Sequence, residues 1–432
     1  MCPQRPGARA MTTGCATIVR ADARALPLRD NSVDLAVTSP PFYALRSYQD
    51  CGEHYAGQVG SESTQTEYVD ALIECTREWM RVLKPAGSIW VNLGDKYATT
   101  APGKLGASGS KTAYARSGYR DTTGAAPTKS LIGLPWRYAL RCIDELGLIL
   151  RAEVIWAKPN GLPESVTDRV RRSHEQWFHF TKQPRYFSAV DEIREEHSPV
   201  SVARSGRNRF AVDRSQEGVG SPNTLNPEQA CNPLGKLPGS VWEIPTQPLT
   251  VPAHLGVDHF AAFPLELPRR IILGWSPSGI CTVCGEGRRP ICDATPEWKA
   301  FRQQQGMGNW ADPSKSSTQG NRDTYSHGLS GAQIAAFGPK KAITGYACAC
   351  PEPTAPTSPS VVLDPFGGTG TTALAAKALG RHGVSVDMSA DYCRIAAWRT
   401  NDPGELAKAL GVAKPPAEVD GQTDLLDALG HW

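Results

Sequence analysis

Two short polar segments, each placed directly after an apolar run, constrain the fold of this chain more than any other feature. Residues 38–42 read Thr-Ser-Pro-Pro-Phe and follow the apolar run 33–37, whereas residues 364–370 read Asp-Pro-Phe-Gly-Gly-Thr-Gly and follow the run 361–363. An open α/β sheet binds its ligands beyond the carboxyl ends of its parallel strands. The pattern therefore predicts such a sheet, with both segments at its ligand-binding edge.

The first segment, Ser39, Pro40, Pro41 and Phe42, resembles the polar-Pro-Pro-aromatic loop of the DNA amino-methyltransferases, and the chemistry of an exocyclic amine explains its residue types. The amino nitrogen of cytosine or adenine is a poor nucleophile because its lone pair is delocalised, and Ser39 Oγ with nearby carbonyls could accept its hydrogens. Two prolines fix φ at about −65° and hold the preceding residue extended, so the acceptors need no reorganisation. Phe42 offers a face on which a base can stack after leaving the duplex. For the tetrapeptide alone, an ordinary strand-ending turn is the alternative.

The second segment resembles a nucleotide-binding fingerprint. Gly368 and Gly370 allow close backbone approach, and a predicted helix from residue 371 points its N-terminus at the ligand. Asp387 ends the next predicted strand, 384–386, where an acidic side chain can bind ribose hydroxyls. This half is compatible with NAD as well as with S-adenosylmethionine. A dehydrogenase, however, would leave Ser39 and Phe42 without a role.

The order of the two segments resembles that of the β-class DNA amino-methyltransferases, the site-specific cytosine-N4 and adenine-N6 enzymes of phage and bacterial modification systems. In that class the catalytic loop precedes the cofactor loop. The resemblance covers most of the chain, from Ile18 through the helix opened by Leu134 to the segment 259–264. It implies a Rossmann-like, S-adenosylmethionine-dependent α/β sheet in circularly permuted motif order.

The resemblance also assigns residues to the cofactor. Asp22 would contact the adenine, Asp387 the ribose, Phe366 would lie beside the cofactor and Asp364 near its methionine end. The implied cofactor-binding set is Asp22, Phe260, Asp364, Phe366, Gly368, Gly370 and Asp387, and the implied catalytic set is Ser39, Pro40, Pro41 and Phe42.

The resemblance and local composition together divide the chain into segments. The polar, glycine-rich and arginine-bearing stretch 195–240 lies where this family inserts its target-recognition region, with a disordered linker as the alternative. The predicted segments are a disordered arm 1–13, a catalytic half 14–194 with a mobile loop 96–130, the recognition insertion 195–240, a cofactor-closing segment 241–280, a zinc-ribbon-like insertion 281–350 with four cysteine ligands, a cofactor-binding half 351–400 and a tail 401–432.

The cysteines predict a metal site rather than disulfides. Twelve cysteines without a secretory signal argue against a disulfide framework, so their spacing carries the information. Cys281 with Cys284, and Cys348 with Cys350, have ligand spacing, and four thiolates could close a tetrahedral zinc site. Cys292 could substitute for one ligand, and four unpaired reduced cysteines are the alternative.

The acceptor base follows from what the catalytic loop contains. Methylation at cytosine carbon 5 needs a nucleophilic cysteine in a Pro-Cys loop beside a strand, and none occurs. Direct transfer to an amino nitrogen leaves cytosine N4 and adenine N6. Ser39 stands where adenine enzymes of the family usually have aspartate, which favours cytosine, with adenine as the alternative. A non-catalytic zinc-containing DNA-binding protein is the alternative of another class, but it would not need to retain the cofactor residues.

Composition sets the outer limits. The net charge of +3 excludes a polycationic DNA coat, so contact with double-stranded DNA must come from local arginine and lysine clusters. No apolar run is long enough to cross a bilayer and no secretory signal is visible. We therefore expect a cytoplasmic enzyme of a bacterium or phage-infected cell, without a membrane partner. A cognate restriction endonuclease is a candidate partner, and the oligomeric state stays open.

Overall fold

The computed structural model describes most of the predicted catalytic and cofactor-binding halves. The described residues are 14–44, 49–50, 53–54, 57–98, 126–161, 163–198, 200–201, 232–255, 262–304, 341–352 and 354–414. The predicted arm 1–13, most of the loop 96–130, most of the insertion 195–240 and the end of the tail lie outside them. Within the described ranges, no helix has the length and apolarity that a membrane crossing requires.

Strands are interspersed with helices along the chain. The strands are β1 (Cys15–Arg20), β2 (Val33–Thr38), β3 (Gln49–Asp50), β4 (Glu53–His54), β5 (Leu83–Leu93), β6 (Ile149–Ala157), β7 (His174–Thr181), β8 (Val241–Glu243), β9 (Ile280–Cys281), β10 (Arg289–Ala294), β11 (Lys341–Ala347), β12 (Thr357–Ser358), β13 (Val361–Asp364) and β14 (His382–Asp387). The α-helices are α1 (Gln65–Val82), α2 (Leu134–Asp144), α3 (Glu266–Trp275), α4 (Pro296–Gln304), α5 (Thr371–Ala378), α6 (Ala390–Asn401) and α7 (Pro403–Leu410).

Eight strands form one open sheet in the order β1-β14-β13-β2-β5-β7-β6-β8. All pairings in it are parallel except those of β7, which runs antiparallel to both of its neighbours. The last two strands in the chain, β13 and β14, lie between β1 and β2. The predicted α/β sheet and its permuted motif order are therefore confirmed.

The centre of the sheet is buried on both faces, as parallel sheets require. All six residues of β2 are buried, and Leu35 is completely inaccessible. Helix α1 begins with a capping box in which Thr64 and Glu67 satisfy each other's backbone N–H groups, and it buries Leu72 and Trp79. Truncation of a fully buried leucine such as Leu72 to alanine typically costs about 2–5 kcal/mol.

The chain divides into two units. The first comprises residues 1–187, 240–272 and 359–432 and contains the eight-stranded sheet. The second comprises residues 188–239 and 273–358 and contains the antiparallel pairs β10–β11 and β9–β12.

Both predicted insertions contribute to the second unit. The ends of the predicted recognition insertion are joined by two backbone hydrogen bonds between Glu195 and Lys236, of 3.0 and 2.9 Å. This connection closes the segment at its base. The boundaries proposed from the sequence at 195, 240, 281 and 350 stay predictions.

Candidate functional site

The site residues predicted around the sheet gather at one edge of it. Asp387 and Asp364 are the last residues of β14 and β13, Ser39 directly follows β2, and Asp22 lies two residues beyond β1. From β13 the chain passes through α5 to β14 on one side, whereas from β2 it passes through α1 to β5 on the other. The connections thus diverge between β13 and β2, and open α/β sheets bind ligands at such a switch point.

The glycine loop, residues 366–370, needs glycine at two positions. Gly368 has φ of +49° and Gly370 has φ of +74°, values that residues with a side chain rarely adopt. A Cβ atom on Gly370 would also lie 2.9 Å from the Cβ of Ala396 in α6. The loop therefore packs closely against α6 and leads directly into the N-terminus of α5, a favourable place for negatively charged ligand groups.

Asp364 stabilises the glycine loop through hydrogen bonds to both sides of it. Its side chain is 1% exposed and accepts hydrogen bonds from Phe366 N at 3.1 Å and Thr372 Oγ1 at 2.7 Å. Burial raises the pKa of Asp364 to about 6, although these hydrogen bonds oppose the shift. The carboxyl group thus joins the start of the loop to α5, and its predicted contact with the methionine end of a cofactor stays a prediction.

Two further acidic residues follow or end strands at this edge of the sheet. Asp387 accepts hydrogen bonds from Gly368 N and Ser389 N, both at 2.9 Å, which hold its carboxylate next to the glycines. Asp22 forms an ion pair with Arg24 at 2.7 Å. Burial alone would raise the pKa of Asp22, but hydrogen bonds and charge from Arg24 outweigh burial and lower it. Their predicted contacts with the ribose and the adenine of a cofactor stay predictions.

A buried ion pair that the sequence analysis did not identify supports the same loop. Arg399 in α6 and Glu405 in α7 are 5% and 4% exposed, and Arg399 Nε donates to Glu405 Oε2 at 3.1 Å. Arg399 Nη1 also donates to Thr369 Oγ1 at 3.1 Å and to Thr371 Oγ1 at 2.7 Å. No motif marks this arginine: Glu405 is six residues away in the next helix, and the two threonines lie 28 and 30 residues before it.

The loop predicted to be catalytic, residues 39–42 and called the catalytic loop below, is held by side chains from other elements. Ser39 Oγ donates to Asn92 Oδ1 in β5 at 2.9 Å, and Tyr68 in α1 donates its hydroxyl to Pro41 O at 3.0 Å. Pro40 is buried, whereas Ser39 is partly exposed. Tyr68 therefore occupies the carbonyl of Pro41. Ser39 Oγ is the side-chain oxygen of this loop that can accept a further hydrogen bond.

The ring of Phe42 packs on the backbone of Gly94. A Cβ atom on Gly94 would lie 2.6 Å from Phe42 Cε2 and 2.9 Å from Cδ2. Phe42 is partly buried against the core of the sheet. The missing side chain of Gly94 thus leaves the space that the ring occupies.

The remaining aromatic predictions have different outcomes. Phe366 packs edge-on against Trp79 in α1, with 6.0 Å between the ring centroids and an interplanar angle of 86°. Phe260 lies outside the described residues.

Asn92, Tyr68 and Gly94 were missed as site residues, although Asn92 could have been noted because it is near the carboxyl end of β5, the neighbour of β2.

The four predicted cysteine ligands meet in the second unit. The Sγ atoms of Cys281, Cys284, Cys348 and Cys350 all lie within 4.8 Å of one another. A turn joins the first two, with Gly285 N donating to Cys281 O at 2.9 Å and Gly285 at φ of +73°. The backbone N–H groups of Cys284 and Val283 lower the pKa of the Cys281 thiol. Such a set has the thiolate chemistry that zinc prefers, and Cys292 does not belong to it.

Comparison with known proteins identifies relatives that share much of this chain. Residues 33–281 and 355–397 match the family model described as DNA methylase. The type II methyltransferase M.Cfr9I of Citrobacter freundii is 34% identical over 268 residues, which cover 61% of this chain and 74% of that protein. The type II methyltransferase M.SmaI of Serratia marcescens is 32% identical over 267 residues, covering 61% and 76%.

The family match includes both loops of the sheet edge and omits a long stretch between them. This omitted stretch, residues 282–354, includes Cys284, Cys348 and Cys350. Among solved structures, the PvuII DNA methyltransferase (cytosine-N4-specific) covers 93% of this chain and 93% of its own, with 18% sequence identity and a TM-score of 0.48.

Proposed function

Because this chain belongs to the DNA methylase family, we propose that it transfers a methyl group from S-adenosylmethionine to the exocyclic N4 of a cytosine in duplex DNA. The enzyme class, DNA methyltransferase, follows from the family. The acceptor base, the flipping of that base and the residue contacts are the proposal.

One observation supports this function above the others. The Ser39 loop and the glycine loop leave the adjacent parallel strands β2 and β13 at the same edge of the sheet. A base held by the first loop would therefore lie beside a cofactor held by the second. Enzymes that act on base atoms take the nucleotide out of the stack, and Phe42 offers a face for it.

The residues at the edge fit S-adenosylmethionine. Gly368 carries no side chain that would block approach to the loop, Gly370 lets the loop pack closely on α6, and Asp387 presents a carboxylate for ribose hydroxyls. When bound, the cofactor supplies an electrophilic methyl carbon. On the base side, Ser39 Oγ accepts a hydrogen bond from the amino group, which leaves more electron density on its nitrogen. When that nitrogen takes the methyl group, the carbon–sulfur bond of the cofactor would break and the nitrogen would lose one proton to water.

The choice of cytosine depends on Ser39. The hydroxyl stands where an aspartate is usual in adenine enzymes of the family, so the loop is neutral at this position. Adenine N6 is the second candidate because its amine presents the same donor group. Both bases need the same acceptor, and a product assay separates them.

Labelled S-adenosylmethionine tests the proposal directly. The chain is incubated with labelled cofactor and mixed-sequence duplex DNA, and the DNA is digested to nucleosides that are separated against methylated standards. We expect label in N4-methylcytosine. Label in N6-methyladenine would overturn the base, and unlabelled DNA would overturn the function.

One control variant and one further measurement accompany this assay. Ser39→Ala should bind the cofactor in calorimetry and transfer almost no label. Methylation would also block an endonuclease that cuts the same sequence. DNA from cells expressing the chain should therefore resist one member of a panel of restriction enzymes, which reports the recognition sequence.

We also propose that Cys281, Cys284, Cys348 and Cys350 bind one structural zinc ion. Four thiolates at about 2.3 Å from zinc in a tetrahedron place their sulfurs about 3.8 Å apart, so a small contraction of the observed group suffices. Cys348 directly follows β11 and Cys281 ends β9. The metal would therefore close the excursion 285–347 at its base, within the stretch that the family match omits.

Elemental analysis tests the metal. The purified chain should carry about one zinc per molecule, and Cys281→Ser with Cys284→Ser should lose it while cofactor binding persists. Cys292→Ser is the matched control, since this cysteine lies in β10 outside the group, and it should retain the metal. Metal-free wild-type protein with four alkylatable thiols at these positions would contradict the site.

A further inference from the structure

A chain of two hydrogen bonds runs from the catalytic loop to the antiparallel strand β7. Ser39 Oγ bonds Asn92 Oδ1 at 2.9 Å, and Asn92 Nδ2 bonds Gln176 O at 3.1 Å. Asn92 is 1% exposed, so its amide does not exchange these partners for water. The three residues belong to the same unit.

The direction of both hydrogen bonds follows from the carbonyl group of Gln176. A backbone carbonyl such as that of Gln176 can only accept, so the Asn92 group facing it must be the NH₂. The amide oxygen of Asn92 must then face Ser39. An amide oxygen can only accept, so the single hydroxyl hydrogen of Ser39 is committed to Asn92.

This commitment fixes what Ser39 can offer to a base. Its lone pairs remain available to accept, but it has no second hydrogen to donate. An unconstrained serine could rotate and serve either an amino group or a carbonyl oxygen. We propose that Asn92 is a specificity-determining residue that makes Ser39 an obligatory acceptor, so the base site admits amino bases and rejects their keto counterparts.

The inference rests on the proposed function, but it does not depend on which amino base is methylated. Cytosine and adenine present an amine to Ser39, whereas uracil and hypoxanthine present an oxygen at the corresponding position. Two acceptors facing each other leave both without a partner in a desolvated site, which penalises the keto base. Asn92 acts through Ser39 and does not itself need to touch the base.

The test compares duplexes that carry the recognition sequence with either the amino base or its keto counterpart at the target position. The two target bases compared are cytosine and uracil, or adenine and hypoxanthine, according to which base the product assay shows to be methylated. The measured quantity is the ratio of the two dissociation constants in the presence of a non-reactive cofactor analogue. Because keto substitution also creates a mismatch, only the change of this ratio between protein variants is interpreted.

Asn92→Leu removes both amide contacts and releases the Ser39 hydroxyl. We expect the preference for the amino base to fall roughly tenfold relative to wild type. Asn92→Asp keeps an acceptor facing Ser39 and should preserve the preference, whereas Ser39→Ala should abolish it. Thr76→Val removes a buried hydrogen bond to Tyr138 in the same unit and controls for general loosening, so it should leave the ratio unchanged.

Several results would overturn the inference. One is an unchanged ratio in folded Asn92→Leu, and another is a ratio in Asn92→Asp that falls to the level of Ser39→Ala. The comparison of Asn92→Asp with Ser39→Ala remains decisive even if Asn92→Leu does not fold. A wild type that methylates DNA but binds both duplexes alike refutes the inference alone, whereas an absence of methylated DNA refutes the proposed function.

Discussion

The two loops at the sheet edge are supported in different ways. The glycine loop is held by Asp364, Asp387 and Arg399, which belong to the same stretch of chain that forms the loop and its helices. The catalytic loop is held by Asn92 and Tyr68, which come from other elements of the sheet unit. The farthest support of the glycine loop, Arg399, is 30 residues from Thr369, whereas that of the catalytic loop, Asn92, is 53 residues from Ser39 and belongs to a neighbouring strand.

This difference predicts a separation of functions. Changes around the catalytic loop should alter turnover and base preference while cofactor affinity is kept. Changes around the glycine loop should first weaken cofactor binding. Variants in which the two properties fail together would show that the loops form one coupled site.

The largest effect is expected at Ser39. Ser39→Ala should lower kcat about 10²–10³-fold, the usual effect of removing one preorganised group that stabilises the transition state. Cofactor affinity, measured by calorimetry, should stay within twofold of wild type by the separation described above. A variant with near-wild-type methylation would remove Ser39 from the catalytic set.

Asp364 provides a pH test of the support beneath the glycine loop. Its folded pKa of about 6 exceeds the ordinary value of 3.8, so the folded state retains the proton over this interval. Stability contributed by this group is therefore greatest below about pH 4 and declines by about 3 kcal/mol as the pH rises to about 6.

Denaturant unfolding of wild type and Asp364→Asn at pH 4 and pH 7 measures that decline. As the pH rises, the free energy of unfolding of wild type should fall relative to that of Asp364→Asn. Asp168→Asn is a suitable control because Asp168 is exposed and its ion pair with Lys129 lowers its pKa. Parallel pH profiles for wild type and Asp364→Asn would contradict the elevated pKa.

Gly370 tests whether close packing of the glycine loop matters for the cofactor. Gly370→Val adds both backbone strain and contact with Ala396, so the dissociation constant for S-adenosylmethionine should rise at least about tenfold, equivalent to about 1.4 kcal/mol. Gly147→Val is a matched control, since Gly147 has φ of +65° but no atom within 4 Å of an added Cβ. The control should lose stability without losing cofactor affinity.

The same comparison explains what could be predicted from the sequence. The strands before Ser39 and Asp364, the helix after Gly370 and the grouping of Cys281 with Cys348 were all predicted, because each depends on local pattern or on ligand spacing. Asn92, Tyr68 and Gly94 were not, because their roles arise only when β5 and α1 pack beside β2. Arg399 was missed for the same reason: a buried ion pair has no local signature.

The smallest effect is expected at Gly94, which tests the support of the Phe42 ring in the catalytic loop. An added methyl group would overlap the Phe42 ring, with 2.6 Å to Cε2, so the ring must shift while the strand β5 keeps its path. We expect Gly94→Ala to lower kcat about three- to tenfold, since a misplaced stacking face costs up to about 1.4 kcal/mol. Cofactor affinity should not change. Combining Gly94→Ala with Phe42→Ala removes the overlapping ring, so the double variant should be no slower than Phe42→Ala alone. A further loss in the double variant would show that Gly94 serves the site through something other than the position of Phe42, and the catalytic loop would then depend on β5 in a second way.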